Sequence, residues 1–282
     1  MPDGATAHPF DAVSRAWMGL TSKQFDPADV PWLLGPRAGR EVVGHAWVDN
    51  LAEQLGGRTS TGPEHGLLPS FAALRGAGFE PDDVDPRIVD FYEHTSAWAM
   101  DLWSEWSPLA WPFGRAITAL WSRRLQQLSL PMRPLDVSYG MDSSVVHVHD
   151  SEGDVAGAAW LRSMRKTGDT TYSGLYGTTL LPGSDQPCVR VVFPLPMGSL
   201  PVFLRPSVGA NGSLHLRSPI GPFGTEGAYL VLHRGDSLKA RRIPIAEHFH
   251  LFVDDDGAVR CDHALSLRSI PAIRLHYRLT RR

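Results

Sequence analysis

The sequence predicts an α+β protein, with a helical N-terminal part packed on a C-terminal antiparallel β-barrel or strongly curved β-sheet of about ten strands. Three observations carry this. Apolar residues recur at helical spacing as far as Leu128 and at alternate positions from Asp136 onward. Pro131 and Pro134 close off helical structure between the two regimes. Beyond them the connections are short and rich in turn residues. Parallel pairing would need crossovers of roughly a dozen residues, so the strands are expected to pair antiparallel.

In chain order, residues 11–20 read as a short helix. Residues 41–55 follow as another, with Val43, Trp47, Leu51 and Leu55 spaced by four. Residues 56–69 are Gly, Ser, Thr and Pro rich and read as an exposed loop, and 70–76 as a brief helix. The clearest helix spans 86–106. Asp85 is placed to cap it, Pro86 suits its first position, and Ile88, Phe91, Thr95, Trp98, Leu102 and Trp106 share one face. A further helix is expected over 112–128. The strands are expected at 144–149, 155–164, 170–181, 188–195, 201–205, 213–217, 228–233, 248–253, 259–267 and 272–279. Turn chemistry such as Asn211-Gly212 and Asp256-Gly257 separates them. The natural division is residues 1–134 as a Trp-rich helical region and 135–282 as a barrel-like one, two parts that can also form a single continuous domain.

Composition narrows the function. The net charge is −3 with 12 His uncounted, which gives no attraction to nucleic acid. Cys188 and Cys261 form no CxxC motif. The opening MPDGATAHPFDAV lacks a basic then apolar leader, and no apolar run approaches the roughly 20 residues that span a bilayer. The expected chain therefore has no transmembrane segment and is cytoplasmic. Nothing indicates its oligomeric state. No phosphate loop, dinucleotide fingerprint, nucleophile elbow or H-E-x-x-H motif is present, and no motif names a cofactor.

The remaining candidates are side chains that a strand or helix would bring together. His147/His149 and His248/His250 are His-x-His pairs, whose members share a strand face and suit a metal ion. Surface or hydrogen-bonded histidines are the plainer reading. His263 falls on the apolar face of its strand with Cys261 and Leu265, as a satisfied core residue or an interior acid–base group. Tyr172, Tyr176 and Tyr229 offer hydroxyls to a barrel interior, or simply pair across strands. Asp90, His94, Asp101 and Glu105 form a polar helix stripe, which reads first as a solvated flank. Five of the 9 Trp lie between Trp98 and Trp121; Trp98, Trp103 and Trp106 suit an aromatic pocket or a helix–barrel contact.

These readings converge on a hydrophobic small molecule bound in a barrel cavity capped by helices, with cyclisation or isomerisation as the accompanying chemistry. His263, Tyr229 and Tyr176 are then the catalytic candidates, and Trp98, Trp103, Trp106 and Tyr172 the binding ones. The alternatives are a metal-dependent enzyme using the His-x-His pairs, or a structural, partner-binding protein without a ligand.

Overall fold

The computed structural model describes residues 22–36, 46–107, 140–165, 168, 170–195, 198–234 and 237–282. The expected helices at 11–20 and 112–128, with Trp111 and Trp121, lie outside these residues. All strand pairs are antiparallel, as the short connections require.

The C-terminal strands follow the alternation closely. β4 (Met141–His149), β5 (Val155–Met164), β6 (Thr170–Thr179), β7 (Cys188–Leu195) and β8 (Gly198–Val208) form a meander. β9 (Leu214–Ser218) pairs with β12 (Ile245–Val253), and β13 (Val259–Leu267) and β14 (Ile270–Arg281) follow. β10 (Gly227–Arg234) and β11 (Ser237–Ile243) form a hairpin, with β1 (Lys23–Phe25) on its outer edge. β8 is where the sheet divides. Residues 198–203 pair with β10 on one edge and β7 on the other, whereas 205–208 pair with β9. One buried apolar cluster joins Trp160, Tyr176, Val191 and Phe193 to Leu216, Leu251, Cys261, Leu275 and Tyr277. The two arms of the sheet therefore face each other across a common interior.

The sheet does not close into a barrel. Its path runs from β2 (Thr59–Thr61) through β4 to β8, then β9, β12, β13 and β14, and ends at β3 (Trp98–Trp106), with no pairing between β2 and β3. Folding the sheet over and covering it with loops shields it where closure would otherwise remove its edges.

Among its described residues, the N-terminal part is not predominantly helical. Its described residues hold two short helices, α1 (Ala46–Gln54) and α2 (Pro86–Glu93), among 3₁₀ turns and loops. The expected helix at 86–106 stops after two turns. Asp85 caps it by accepting from the Arg87 N–H, and Pro86 occupies its first position. Thr95 then ends it: its hydroxyl donates to the Phe91 carbonyl and accepts from the Leu67 N–H. From Trp98 the chain is a strand, paired with β14 from Trp98↔Arg281 to Trp106↔Ile273. Trp98, Leu102 and Trp106 are four apart, and that spacing places residues on one face of a strand as well as of a helix. The stripe of Asp90, His94, Asp101 and Glu105 consequently dissolves, because Asp101 and Glu105 stand on the exposed face of β3.

Short segments cover the outer face of the sheet. α1 lays Trp47, Val48 and Ala52 on Val148, Ala159, Leu161, Leu175 and Val192. The Trp47 indole N–H donates to the Ser173 hydroxyl at 2.7 Å, with both groups buried. Further along, Val30, Trp32 and Leu33 cover Phe203, Tyr229, Val231 and Leu238.

Candidate functional site

The interior face of the folded sheet carries more ionisable groups than a packing core needs. Alternation along β12 turns Ile245, Glu247, Phe249 and Leu251 inward, and His248 and His250 outward. On β13, His263 lies opposite Phe249 in register and stacks on its ring at 3.7 Å. The Glu247 and His263 side chains are only 14% and 11% exposed, and Oε2 of Glu247 is 3.1 Å from Nε2 of His263. A carboxylate at that nitrogen holds the imidazole proton on Nε2. In the neutral ring Nδ1 is then a bare acceptor, and it is shut off from solvent without a partner.

The facing arm supplies the rest. Arg162 is buried on β5, its guanidinium 5.1 Å from the Trp160 ring centre, 5.7 Å from Tyr172 and 5.6 Å from Tyr277. Among the described residues no carboxylate lies within ion-pair distance of it; the aromatic faces and the Met141 sulfur take that place. On β6, Tyr172 and Tyr176 point inward and their hydroxyls are 2.7 Å apart. Burial raises the pKa values of Tyr172 and Tyr176 and pushes Tyr277 up to about 12, with Arg162 pulling each partly back. Glu247 acts on all three from across the interior. At neutral pH the phenols therefore stay protonated and can donate hydrogen bonds. Tyr172, Ile245, Phe249 and Leu265, which pack against the same core, are half-buried.

The structure brings together three of the sequence candidates: Tyr172, Tyr176 and His263. Arg162 and Tyr277 were missed. Inward alternation was the available signal for Tyr277. Arg162 follows Trp160 by two in a strand of otherwise small and apolar residues, which placed it inward too. Tyr229 stands elsewhere, in the outer cluster beneath Trp32 and Phe223, where its hydroxyl donates to the Thr225 carbonyl and accepts from the Gly224 N–H. Trp98 and Trp106 pack on the interior face of β3, the Trp98 indole donating to Asp90 at 3.0 Å. Trp103 faces outward and is 49% exposed.

The His-x-His pairs are engaged otherwise. His147 donates from Nε2 to the Gly66 carbonyl and stacks on His65 at 4.0 Å. His149 binds the Ser60 hydroxyl and the Gly153 carbonyl, which occupies both ring nitrogens. His248 and His250 lie on the outer face with His215, whose Nδ1 is 3.0 Å from His248 Nε2 and whose ring stacks on His250 at 4.3 Å. Among the described residues no group of three or more His, Cys, Asp or Glu is arranged to hold a metal ion.

The chain is similar to the uncharacterized membrane protein YndJ of Bacillus subtilis (strain 168), with 28% identity over 270 residues. That stretch is 94% of this chain and 46% of the relative, so the chain spans about half the length of the curated relative it matches. No family model matches, and no solved structure does. The name of the relative overturns the expectation of a cytoplasmic compartment, which rested on the absence of a leader and of long apolar runs. Among the described residues no helix is long and apolar enough to cross a membrane.

Proposed function

We propose that the chain binds a hydrophobic small molecule between the two arms of its sheet and acts on a polar group of that molecule. The observation that supports this reading is the interior cluster of Arg162, Tyr172, Tyr176, Tyr277, Glu247 and His263, set in an aromatic wall. Stability alone does not account for such a cluster, because well-packed apolar residues often match or exceed buried ionic groups. Apolar sites with a few convergent polar groups and shifted pKa values are where ligands bind.

The chemistry follows from the groups. Glu247 orients His263, leaving Nδ1 to accept a proton from a weakly acidic C–H or O–H of the ligand. The protonated phenols and Arg162 are donors for the oxygen on which negative charge would then develop. Return of the proton from His263 to a second atom completes an isomerisation or cyclisation without a redox partner.

Native mass spectrometry of the freshly purified chain, compared with its denatured mass, tests the reading. The expected result is a retained organic mass of one molecule per chain, lost in Arg162→Met and in Glu247→Gln. Arg162→Met is expected to melt at or above the wild-type temperature, since it exchanges a buried cation for an apolar side chain of similar reach. A retained mass that persists in both variants would place the ligand elsewhere. No bound organic mass, together with no binding from a panel of apolar carbonyl compounds, would end the proposal.

A further inference from the structure

A second site lies on the opposite, outer face of the same sheet. There β5, β6 and β7 form the floor of a cleft of 270 Å³, walled by residues 68–73. Leu68, Pro69, Ala73, Leu175 and Val192 give it an apolar lining, and Arg190 is the charged group in it. Arg190 stands directly opposite Gly177 in the register of β6 and β7. A Cβ at Gly177 would meet nothing within 4 Å, so the space over Gly177 is open, while Nη2 of the guanidinium lies 3.5 Å from where a Cβ at Gly35 would stand.

Arg190 lacks compensation. Its Nε is shut off from solvent with no hydrogen-bond partner, and among the described residues no carboxylate is within ion-pair distance. Burial lowers its pKa to about 10, so it remains a cation at neutral pH. The acidic group acting on it is the Cys188 thiol, which burial pushes up to about 12 and which therefore stays neutral. A half-buried cation with an unused donor, beside open space and apolar walls, is chemically matched to a ligand with a charged head and a greasy body.

We propose that this cleft binds a small amphiphilic anion, an oxyanion head on a short apolar body, with the head paired to Arg190 and the body lying over Gly177 against Leu68, Leu175 and Val192. The site is on the other side of the sheet from Glu247 and His263 and shares only Tyr176 with the interior cluster, so it does not rest on the interior reading and can fail separately.

Isothermal titration of the whole chain at pH 7 tests it with four probes. Octanoate and octyl phosphate differ in head, octanol keeps the body without the charge, and inorganic phosphate keeps a charge without the body. At least one of the two amphiphilic anions is expected to bind one per chain, at least tenfold more tightly than octanol and inorganic phosphate. Arg190→Gln and Gly177→Val are each expected to lower that affinity at least tenfold, the first by removing the cation and the second by filling the space. Gly177 is outside the left-handed region and its Cβ would be unobstructed, so Gly177→Val keeps a folded readout even if Arg190→Gln does not fold. Octanol binding as well as the anions would overturn the charge assignment. Inorganic phosphate binding as tightly as octyl phosphate would overturn the apolar one. Undiminished affinity in Gly177→Val, or no binding by either anion, would overturn the site.

Discussion

His215 stands opposite His250 in the pairing of β9 with β12, its Nδ1 close to His248 and with Arg217 two residues on. Burial first, then the neighbouring His250, Arg217 and His248, lowers its pKa from 6.5 to about 4, and burial lowers His248 as well. The folded chain therefore binds fewer protons than the unfolded chain between pH 6.5 and about 4. The stability this favours is complete above 6.5 and is lost as pH falls through that window. His65 and His147, also lowered by burial, add in the same direction. Asp85 and Asp254, held below 3.8 by Arg87 and Arg260, lose their contribution only in more acidic solution, so the two effects separate. The urea midpoint is expected to fall between pH 7 and pH 5, and less steeply in His215→Asn. A midpoint unchanged over that range, or an unaltered slope in the variant, would contradict the assignment.

At the level of elements, the docking of α1 combines its apolar contacts with one buried hydrogen bond. Ser173→Ala leaves the Trp47 indole N–H buried without its acceptor at 2.7 Å, a loss expected to cost about 1–3 kcal/mol. Ser143→Ala, which removes the acceptor of the Trp160 indole at 2.9 Å in a half-buried setting, is expected to cost less because water can replace it. Equilibrium urea unfolding of the two variants gives the comparison; equal losses would show that burial of the pair does not matter. The elements that could be read from sequence are those whose pattern has one solution. β5, β7 and β13 were legible to the residue, β13 by its alternation and β5 and β7 as nearly continuous buried runs bounded by turn residues. β11 was not, because only Leu238 and Ala240 of Ser237–Ile243 are apolar and buried, while Lys239, Arg241 and Arg242 made it look like a loop. Arg242 proves structural, donating to the carbonyls of Pro219, Pro222 and Glu226. β3 was misread because Trp98, Leu102 and Trp106, spaced by four, fit two periods at once. The interior site was half legible: alternation turned Tyr172, Tyr176 and His263 inward. Their meeting with Arg162 and Glu247 depends on how one arm of the sheet folds over the other, which no local spacing encodes.

For the whole molecule, the consequence of that folding is continuity across the chain. β2 and β3 come from residues before 134, yet they pair with β4 and with the C-terminal β14. Phe91 and Trp98 share an apolar cluster with Leu275 and Tyr277. The 9 Trp all lie at or before Trp160, so indole fluorescence reports mainly on the N-terminal region and its contacts. Far-ultraviolet dichroism reports mainly on the strands beyond residue 140. If the sheet is one cooperative unit, the two signals must lose their native values together in urea, with the same midpoint and slope. Residues 135–282 prepared alone would then lack the strand that covers the edge of β14 and the aromatic side chains that seal the interior, and are expected to give neither a sigmoidal transition nor a dispersed amide spectrum. Two separate transitions in the full chain, or a well-folded 135–282, would mean that β3 and α2 decorate an independent sheet, and that the interior cluster is assembled without them.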